Sequence, residues 1–415
     1  MTDPMRLNLR HLETVAAAAR LGTISAASKA LHVSQPAATQ AIVNIEKQLG
    51  HRLLDRQPSG IEPTEAGQLL IVRIERALSL LERGGLRLRR SARLAAIPNI
   101  ERRITLGQLQ TLMAVDEAGS FALAASRSRH SQAALHRSAR ELEDVVGVSL
   151  LTRQGRTVVP TPAARRFLRF VRLVRAELEA GIDELNGLSS RGGGRIRIGT
   201  MPVSRAVLLP QALARFTVAN VDAQVRVVEG SYPDLLNNLR HGELDVLLGA
   251  LRDPLPIADV VQEGMYLDGP IIVGRTNHPL AHEEFSFARL QDFPWIVTET
   301  GTPGRLRWER MFASHGIEPP KLRVESGSLA VIRGLLLEGD WLTLLSPDQM
   351  LIEARAGLLT RIADAGTALR REIGITTRSD WRPTRLQAAF IETFRQVCGD
   401  WSEGRATSRH PFRYA

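Results

Sequence analysis

Cysteine is almost missing: Cys398 is the only one among 415 residues. One thiol excludes an internal disulfide framework and a thiolate zinc cluster, and it fits a reducing cytoplasm. Nothing around it marks a nucleophile, so it is expected to be a small buried apolar residue. Long apolar runs are missing too, since none reaches the ~18 residues of a membrane span. Near the N-terminus Arg10, His11, Glu13 and Arg20 interrupt the short Val15 to Ala19 run, which leaves no signal-peptide order. A soluble cytoplasmic protein without a membrane partner is therefore expected. Catalytic signatures are equally absent: no Gly-x-Ser-x-Gly elbow, no His-Glu-x-x-His, no Gly-x-x-x-x-Gly-Lys. Gly192-Gly193-Gly194 precedes a strand pattern instead of joining strand to helix, which is wrong for a dinucleotide turn. The expectation is a protein that is not an enzyme and needs no cofactor or metal.

What the chain does have is a repeat. Residues 12–66 recur at 109–163 with a constant offset of 97, no gap, and 17 identities in 55 positions. Two copies are too few for a solenoid, so a domain duplication is the better reading. The net charge of +10 follows the same division. Residues 1–190 hold 27 Lys+Arg against 18 Asp+Glu, an excess of 9, whereas residues 191–415 hold 27 against 26. A basic half carrying the repeat points to a polyanionic partner, because cations near phosphates release condensed counterions.

In the first copy Leu9, Leu12, Val15, Ala16 and Ala19 share one helical face, and Gly22 ends that helix. Thr23 or Ser25 can cap a second helix through Ala26, Ala27, Ala30 and Leu31, whose small residues admit a crossing helix. After a His32-Val33 turn, Ser34 caps a third helix with Pro36 in its first turn and Ile42, Ile45 and Leu49 as its buried stripe. Gln35, Thr39, Gln40, Val43, Asn44 and Lys47 lie on its other face. Gln and Asn can pair bidentately with adenine, and Thr can touch the thymine methyl. Leu53 to Arg56 and Ile61 to Thr64 predict a two-stranded wing turning at Pro58-Ser59-Gly60, with Arg56 placed for a phosphate. A polar helix face is usually just solvated, but a capped third helix, a small-residue second helix and a basic wing together predict a DNA reader. The candidate contacts are Ser34, Gln35, Pro36, Thr39, Gln40, Asn44 and Arg56.

Leu9-Arg10-His11-Leu12, Ala26-Ala27, Ser34-Gln35-Pro36-Ala37, Ile42, Ile45-Glu46, Leu49-Gly50, Leu53 and Thr64-Glu65-Ala66-Gly67 resemble the winged helix-turn-helix of LysR-type transcriptional regulators. The second copy keeps Leu109, Gly119-Ser120-Phe121, Ala124-Ala125, Ser131-Gln132, Glu143, Gly147 and Leu150-Leu151, so it is expected to fold alike. Arg127 and Ser128 replace Ala30 and Leu31, Ala133 replaces Pro36 and Ala139 replaces Ile42, which thins its core. Its candidate contacts are Ser131, Gln132, His136, Arg137, Arg140 and Arg153, a more basic set that raises phosphate affinity more than it sharpens base choice. DNA binding by this copy is favoured over a role as a structural spacer.

Long helical stripes follow both wings, from Ala66 to about Arg90 and from Pro162 to about Leu188, and each is longer than a small module can cover. The arginines that stud them read mostly as solvated faces. In the family such a linker helix pairs two readers side by side; here the copies could pair within one chain or with their twins in a second. The resemblance implies a homodimer or homotetramer.

Ser189 to Gly194 forms a polar linker, and beyond it β and α patterns alternate: strands near 195–199, 224–229, 244–249, 271–275, 295–298, 321–325, 342–345, 358–363 and 372–377. Helices fall near 208–217, 233–241, 306–315, 329–338 and 384–397. Such alternation predicts a parallel, doubly wound sheet with ligands at the carboxyl ends of its strands. Candidate effector contacts are Thr200, Met201, Ser231, Tyr232, Thr298, Thr300, Ser326 and Ser328, although capping explains a single Ser or Thr there about as well. Arg197-Ile198-Gly199, Leu208-Leu209-Pro210, Gly242-Glu243-Leu244-Asp245 and His278-Pro279-Leu280 are similar to the periplasmic-binding-protein-like effector domain of the same regulators. The stretch from Glu229-Gly230-Ser231-Tyr232 to Gly249-Ala250-Leu251-Arg252 is similar to a branch that includes sugar-responsive members.

The fold class expected is thus α+β multidomain: two all-α winged helix-turn-helix modules with long linker helices, then a two-lobed α/β effector domain. Its expected parts are module 1 (7–66), linker helix 1 (67–93), module 2 (104–163), linker helix 2 (164–190) and the effector domain (195–402). Lobe I takes about 195–268 and 362–402, and lobe II about 269–361. The resemblance implies a transcriptional regulator that binds double-stranded promoter DNA, senses a small-molecule effector in its C-terminal domain, controls metabolic genes such as those of sugar or aromatic catabolism and can contact RNA polymerase. The alternative is an architectural DNA binder with a vestigial effector domain.

Overall fold

In the computed structural model, residues 2–58, 60–189, 193–204, 206–255 and 257–406 are described. Ser59 of the first wing turn and Ser190-Arg191-Gly192 of the expected linker lie outside them. No described helix is long and apolar enough to cross a membrane.

The first module is α1 (Leu9–Leu21), α2 (Ile24–Leu31), α3 (Gln35–Leu49) and a hairpin of β1 (Leu54–Gln57) and β2 (Gly60–Pro63). Asn8 caps α1 by accepting from the amides of Arg10 and His11, and Gly22 ends it at φ +73°, a left-handed turn that a β-carbon would strain. The next helix, α4 (Glu65–Ser91), is the first linker helix. The second module repeats the pattern as α5 (Leu106–Ala118), α6 (Phe121–Ser126), α7 (Gln132–Val146), β3 (Leu151–Gln154) and β4 (Thr157–Pro160), followed by α8 (Pro162–Ser189).

The repeat is visible in hydrogen bonds as well as in sequence. Glu46 Oε1 accepts from the amides of Leu53 and Leu54, and Glu143 Oε1 does the same for Leu150 and Leu151. Ile61 N donates to Gly22 O at 2.7 Å, and Val158 N to Gly119 O at 2.8 Å. Each wing is therefore tied at both ends to its own helices.

The expected thinning of the second core is corrected in part. Helix α6 does end after six residues, where Arg127 and Ser128 follow it. The volume lost at Ala139 is nevertheless returned by Phe121 and Leu135, both buried, where module 1 has Ile24 and Ala38.

The linker helices α4 and α8 pack along each other within the chain. Leu70, Ile74, Ala77 and Leu81 share one core with Phe167, Val171, Val174 and Leu178. Within the chain, the two linker helices therefore pair with each other, one of the two arrangements the sequence allows.

After β5 (Gly194–Thr200) come α9 (Leu208–Ala219), β6 (Ala223–Glu229), α10 (Tyr232–Arg240), β7 (Val246–Ala250), β8 (Val260–Asp268) and β9 (Ile271–Arg275). Then follow β10 (Ile296–Val297), α11 (Pro303–Ala313), β11 (Val324–Glu325), α12 (Leu329–Glu338), β12 (Thr343–Leu345), α13 (Leu351–Arg355), β13 (Leu359–Asp364), β14 (Arg371–Arg378) and α14 (Arg385–Ala406). The larger sheet has the order β6-β5-β7-β14-β8. Its first three strands are parallel, but β14 runs antiparallel to both β7 and β8, so the sheet is mixed rather than wholly parallel. Strand β8 was not legible in sequence. It lies at the sheet edge, its Gln262-Glu263-Gly264 stretch breaks the apolar alternation, and the register shifts beside Gly374. The second lobe has a three-stranded sheet, β12-β9-β13, and a parallel pair, β10 and β11. Strand β11 keeps only two of the five residues expected near 321–325.

Candidate functional site

The third helix of each module carries the candidate base contacts. Ser34 and Ser131 cap α3 and α7 by accepting from the amides of Ala37 (3.3 Å) and Ala134 (3.2 Å). Gln35, Pro36 and Gln40 are exposed, with Thr39 and Asn44 partly so, and Gln40 Nε2 donates to Asn44 Oδ1 at 2.9 Å. That bond holds two amide side chains on one outward strip, one turn apart. Arg56 lies exposed on β1 opposite Ile61.

The equivalent strip on α7 differs in kind. Arg137 and Arg140 are exposed where module 1 has Gln40 and Val43, and Gln132 is exposed where it has Gln35. Arg153 is exposed and turns its Nε onto Gly155 O at 3.2 Å, within its own wing. His136 spends one ring face on Phe121, stacked at 3.7 Å between centroids. The stack occupies the place of a groove of about 100 Å³ that Ile24, Thr39, Arg52 and Arg56 help line in module 1.

Between the lobes of the C-terminal half lies a cavity of about 790 Å³. Among the sequence candidates, Met201, Ser231, Tyr232 and Thr298 line it. Thr200 does not: it is fully buried behind the wall, with Oγ1 on Met201 O. Thr300 projects from the rim between Glu299 and Gly301, while Ser326 and Ser328 flank the lining Gly327, with Ser326 Oγ accepting from Ser328 N.

Sequence reasoning missed the arginines of this cavity, Arg252, Arg307 and Arg371. They come from the end of β7, the first turns of α11 and the start of β14, and no periodicity links three such positions. Arg371 is paired with the buried Asp268 at 3.2 Å and donates to Ser346 Oγ at 3.1 Å. Arg252 lies over the Tyr232 ring, 4.4 Å from its centroid. Arg307 makes no hydrogen bond or ion pair among the described residues. Burial first, then repulsion from Arg371, push its guanidinium well below its ordinary value. Tyr232 adds a buried hydroxyl without a hydrogen-bond partner among the described residues.

The N-terminal modules and their linker helices are joined to the first lobe through ion pairs. Arg172 on α8 reaches Asp116 of module 2 and, at 3.7 Å, Glu243 of the first lobe. Arg175 holds Glu243 at 2.6 Å, Arg169 holds Asp259 at 2.6 Å, and Arg385 on α14 holds Glu65 at the start of α4 at 2.8 Å. His241 sits amid this junction. Burial, then Arg172, Arg169 and Arg240, push it down to about 4 from 6.5.

The folded chain thus keeps His241 neutral between pH 4 and 6.5, where the unfolded chain protonates it. Extra proton uptake by the unfolded state makes this contribution to stability rise with pH across that window and fade as pH falls through it. We expect His241→Gln to flatten that part of the pH dependence, read as urea midpoints at pH 4.5 and 7. An unaltered difference between the two midpoints would assign it to other groups.

The model of bacterial regulatory helix-turn-helix proteins of the lysR family matches residues 9–68 and again 106–165, and that of the LysR substrate binding domain matches residues 189–399. The chain belongs to the LysR family of transcriptional regulators. The HTH-type transcriptional regulator GalR of Pseudomonas putida is 31% identical to this regulator over 399 residues, 96% of this chain and 99% of the relative. PcaQ of Agrobacterium fabrum is 28% identical over 308 residues, 74% of this regulator and 99% of PcaQ. The difference in coverage between these relatives is about the size of one module with its linker. Among solved structures, a full-length OxyR variant from Pseudomonas aeruginosa shares the fold, with a TM-score of 0.52 at 20% identity over 74% of this regulator and 96% of that chain.

Proposed function

We propose that this regulator binds promoter DNA in the cytoplasm through α3 and α7, and that a small organic acid held between its lobes changes how the two readers are presented. The carrying observation is Arg307, a half-buried guanidinium that shares the cavity with Arg252 and Arg371, three cations against the single lining acid Glu299. A buried charge of this kind calls for a charged partner, and a carboxylate matches the guanidinium fork. Tyr232 and the apolar wall of Met201, Val297 and Leu329 favour an acid with a compact hydrophobic or aromatic body over a neutral sugar. Lobe closure on the acid would act on the readers through the Arg172, Arg175 and Arg385 pairs, provided the acid binds the closed arrangement better.

Module 1 is the base-reading half: Gln35, Thr39, Gln40 and Asn44 face the groove while Arg56 takes phosphate. Gln35→Ala is expected to relax base preference, whereas Arg56→Ala weakens binding about uniformly across sequences. Binding to a set of promoter variants, with a footprint of the region around the regulator's own gene, separates the two. Equal losses at every site for both changes would defeat the assignment of roles.

A further inference from the structure

The two linker helices are related by the same offset of 97, which lets each contact be compared with its twin. Leu70, Arg73, Leu80, Gly84 and Arg87 on α4 correspond to Phe167, Phe170, Glu177, Gly181 and Glu184 on α8. The two glycines are the points of closest approach. A β-carbon at Gly84 would lie 2.8 Å from Phe170 Cβ, and one at Gly181 would lie 2.9 Å from Leu70 Cδ1 and 3.3 Å from Arg73 Cβ. Each glycine thus receives the pair of side chains at equivalent positions of the opposite helix.

The chemistry at the two ends is not the same. At one, Arg73, 2% exposed, is held by Glu177 at 3.0 Å and Glu184 at 3.2 Å. At the other, Phe170 occupies the place of Arg73, and Arg87 lies over its ring, 5.3 Å from the centroid. Pairing two copies of α4 would put buried Arg73 opposite Leu80 and Arg87 of its twin, with no acid and a second cation. Pairing two copies of α8 would put Phe170 opposite Glu177 and Glu184, two acids with no cation. Stranded buried charge is strongly disfavoured, so both like-with-like pairings are penalised and the mixed pair is not. A single buried polar position fixes partner choice in coiled helices by the same logic.

Local packing places the mixed pair inside one chain. Ile100, in the turn joining α4 to module 2, sits on Gly85, and Arg102 of the same turn bonds Glu13 of α1 at 2.7 Å. The Pro4–Arg6 turn before module 1 packs on α5 and α8.

We propose that α4 and α8 are built to pair only with each other, so that one chain is a complete, ordered pair of unequal readers. Its DNA site is then bipartite and not an inverted repeat. One half is read through the amides of α3, and the other is held through Arg137 and Arg140 of α7. This rests on the DNA-binding reading above, and the test separates the two. In the full-length chain, oxidation of the Gly84→Cys/Phe170→Cys variant is expected to give a cross-link within single chains, seen as monomer mass on a non-reducing gel. Footprints on the regulator's own promoter region are expected to show two adjacent protected segments of different sequence. Arg137→Ala/Arg140→Ala should lose one of them, with at least tenfold weaker binding, and Gln35→Ala/Gln40→Ala should impair the other.

Cross-linked chain dimers, or two chains placing module 1 on the halves of an inverted repeat, would overturn the proposal. A link within single chains combined with no binding to any promoter fragment would overturn the DNA reading, and the bipartite site with it.

Discussion

Replacing Arg307 by Met is expected to weaken the binding of acidic effectors by about 10- to 100-fold, the scale of losing charge-assisted hydrogen bonds, while the unliganded protein becomes no less stable. Both halves of that result follow from one fact: Arg307 is half-buried beside Arg371 and has no hydrogen-bonding or ion-pair partner among the described residues. Without ligand its charge is a cost, which Met removes at similar length. With an acid bound, the same charge finds its counterion. Arg307→Lys should recover only part of the affinity, because an ammonium cannot reproduce the planar fork. Thermal shift and calorimetry with a panel of aromatic acids, sugar acids and neutral sugars read both effects. Equal shifts by neutral sugars and acids, or an unchanged affinity in the Met variant, would remove the anion assignment. A panel that shifts nothing would favour an architectural DNA binder.

Arg73→Leu is expected to destabilise the paired linker helices by about 3 kcal/mol, the usual scale for breaking a buried ion pair by removing one partner. The reason is the acid left behind. Glu177 keeps Arg76 at 2.8 Å, but Glu184, whose side chain is 6% exposed, loses the guanidinium that holds it. Adding Glu184→Leu should restore most of the stability, since apolar replacement of a whole buried pair is often neutral. Native-state hydrogen exchange in α4 and α8 measures this locally. No rescue by the second change would mean that packing, not stranded charge, governs the loss. The same helix region contacts the effector half directly, because Arg73 Nη1 also donates to Arg382 O at 2.9 Å. Loosening α4 should therefore also be felt in the turn before α14.

Much of the DNA-facing half was legible because its signals are local. Caps at Ser34 and Ser131, terminal glycines and a 3.6-residue apolar period are determined within a few neighbouring residues, and the structure places these helices where the pattern predicts them. The cavity was less legible. Met201, Ser231, Tyr232 and Thr298 were found by following strand ends, whereas Arg252, Arg307 and Arg371 stand 55 and 64 residues apart in sequence, and only folding brings them together. The error over the second module's core has a similar origin. Losses at Ala139 could be seen in a position-by-position comparison, but the compensation by Phe121 and Leu135 is a matter of volume shared between two helices.

The sequence by itself determined the family, the duplication, the basic half and the helix faces, since each depends on residue type and on spacing along one element. Tertiary structure alone decided three things. It packed α4 against α8, left Arg307 without an ion-pair partner among the described residues, and set β14 antiparallel between β7 and β8 in an otherwise parallel sheet. All three depend on which distant side chains and strands come to share buried space, and the cost of an unpaired charge there is not written at any single position.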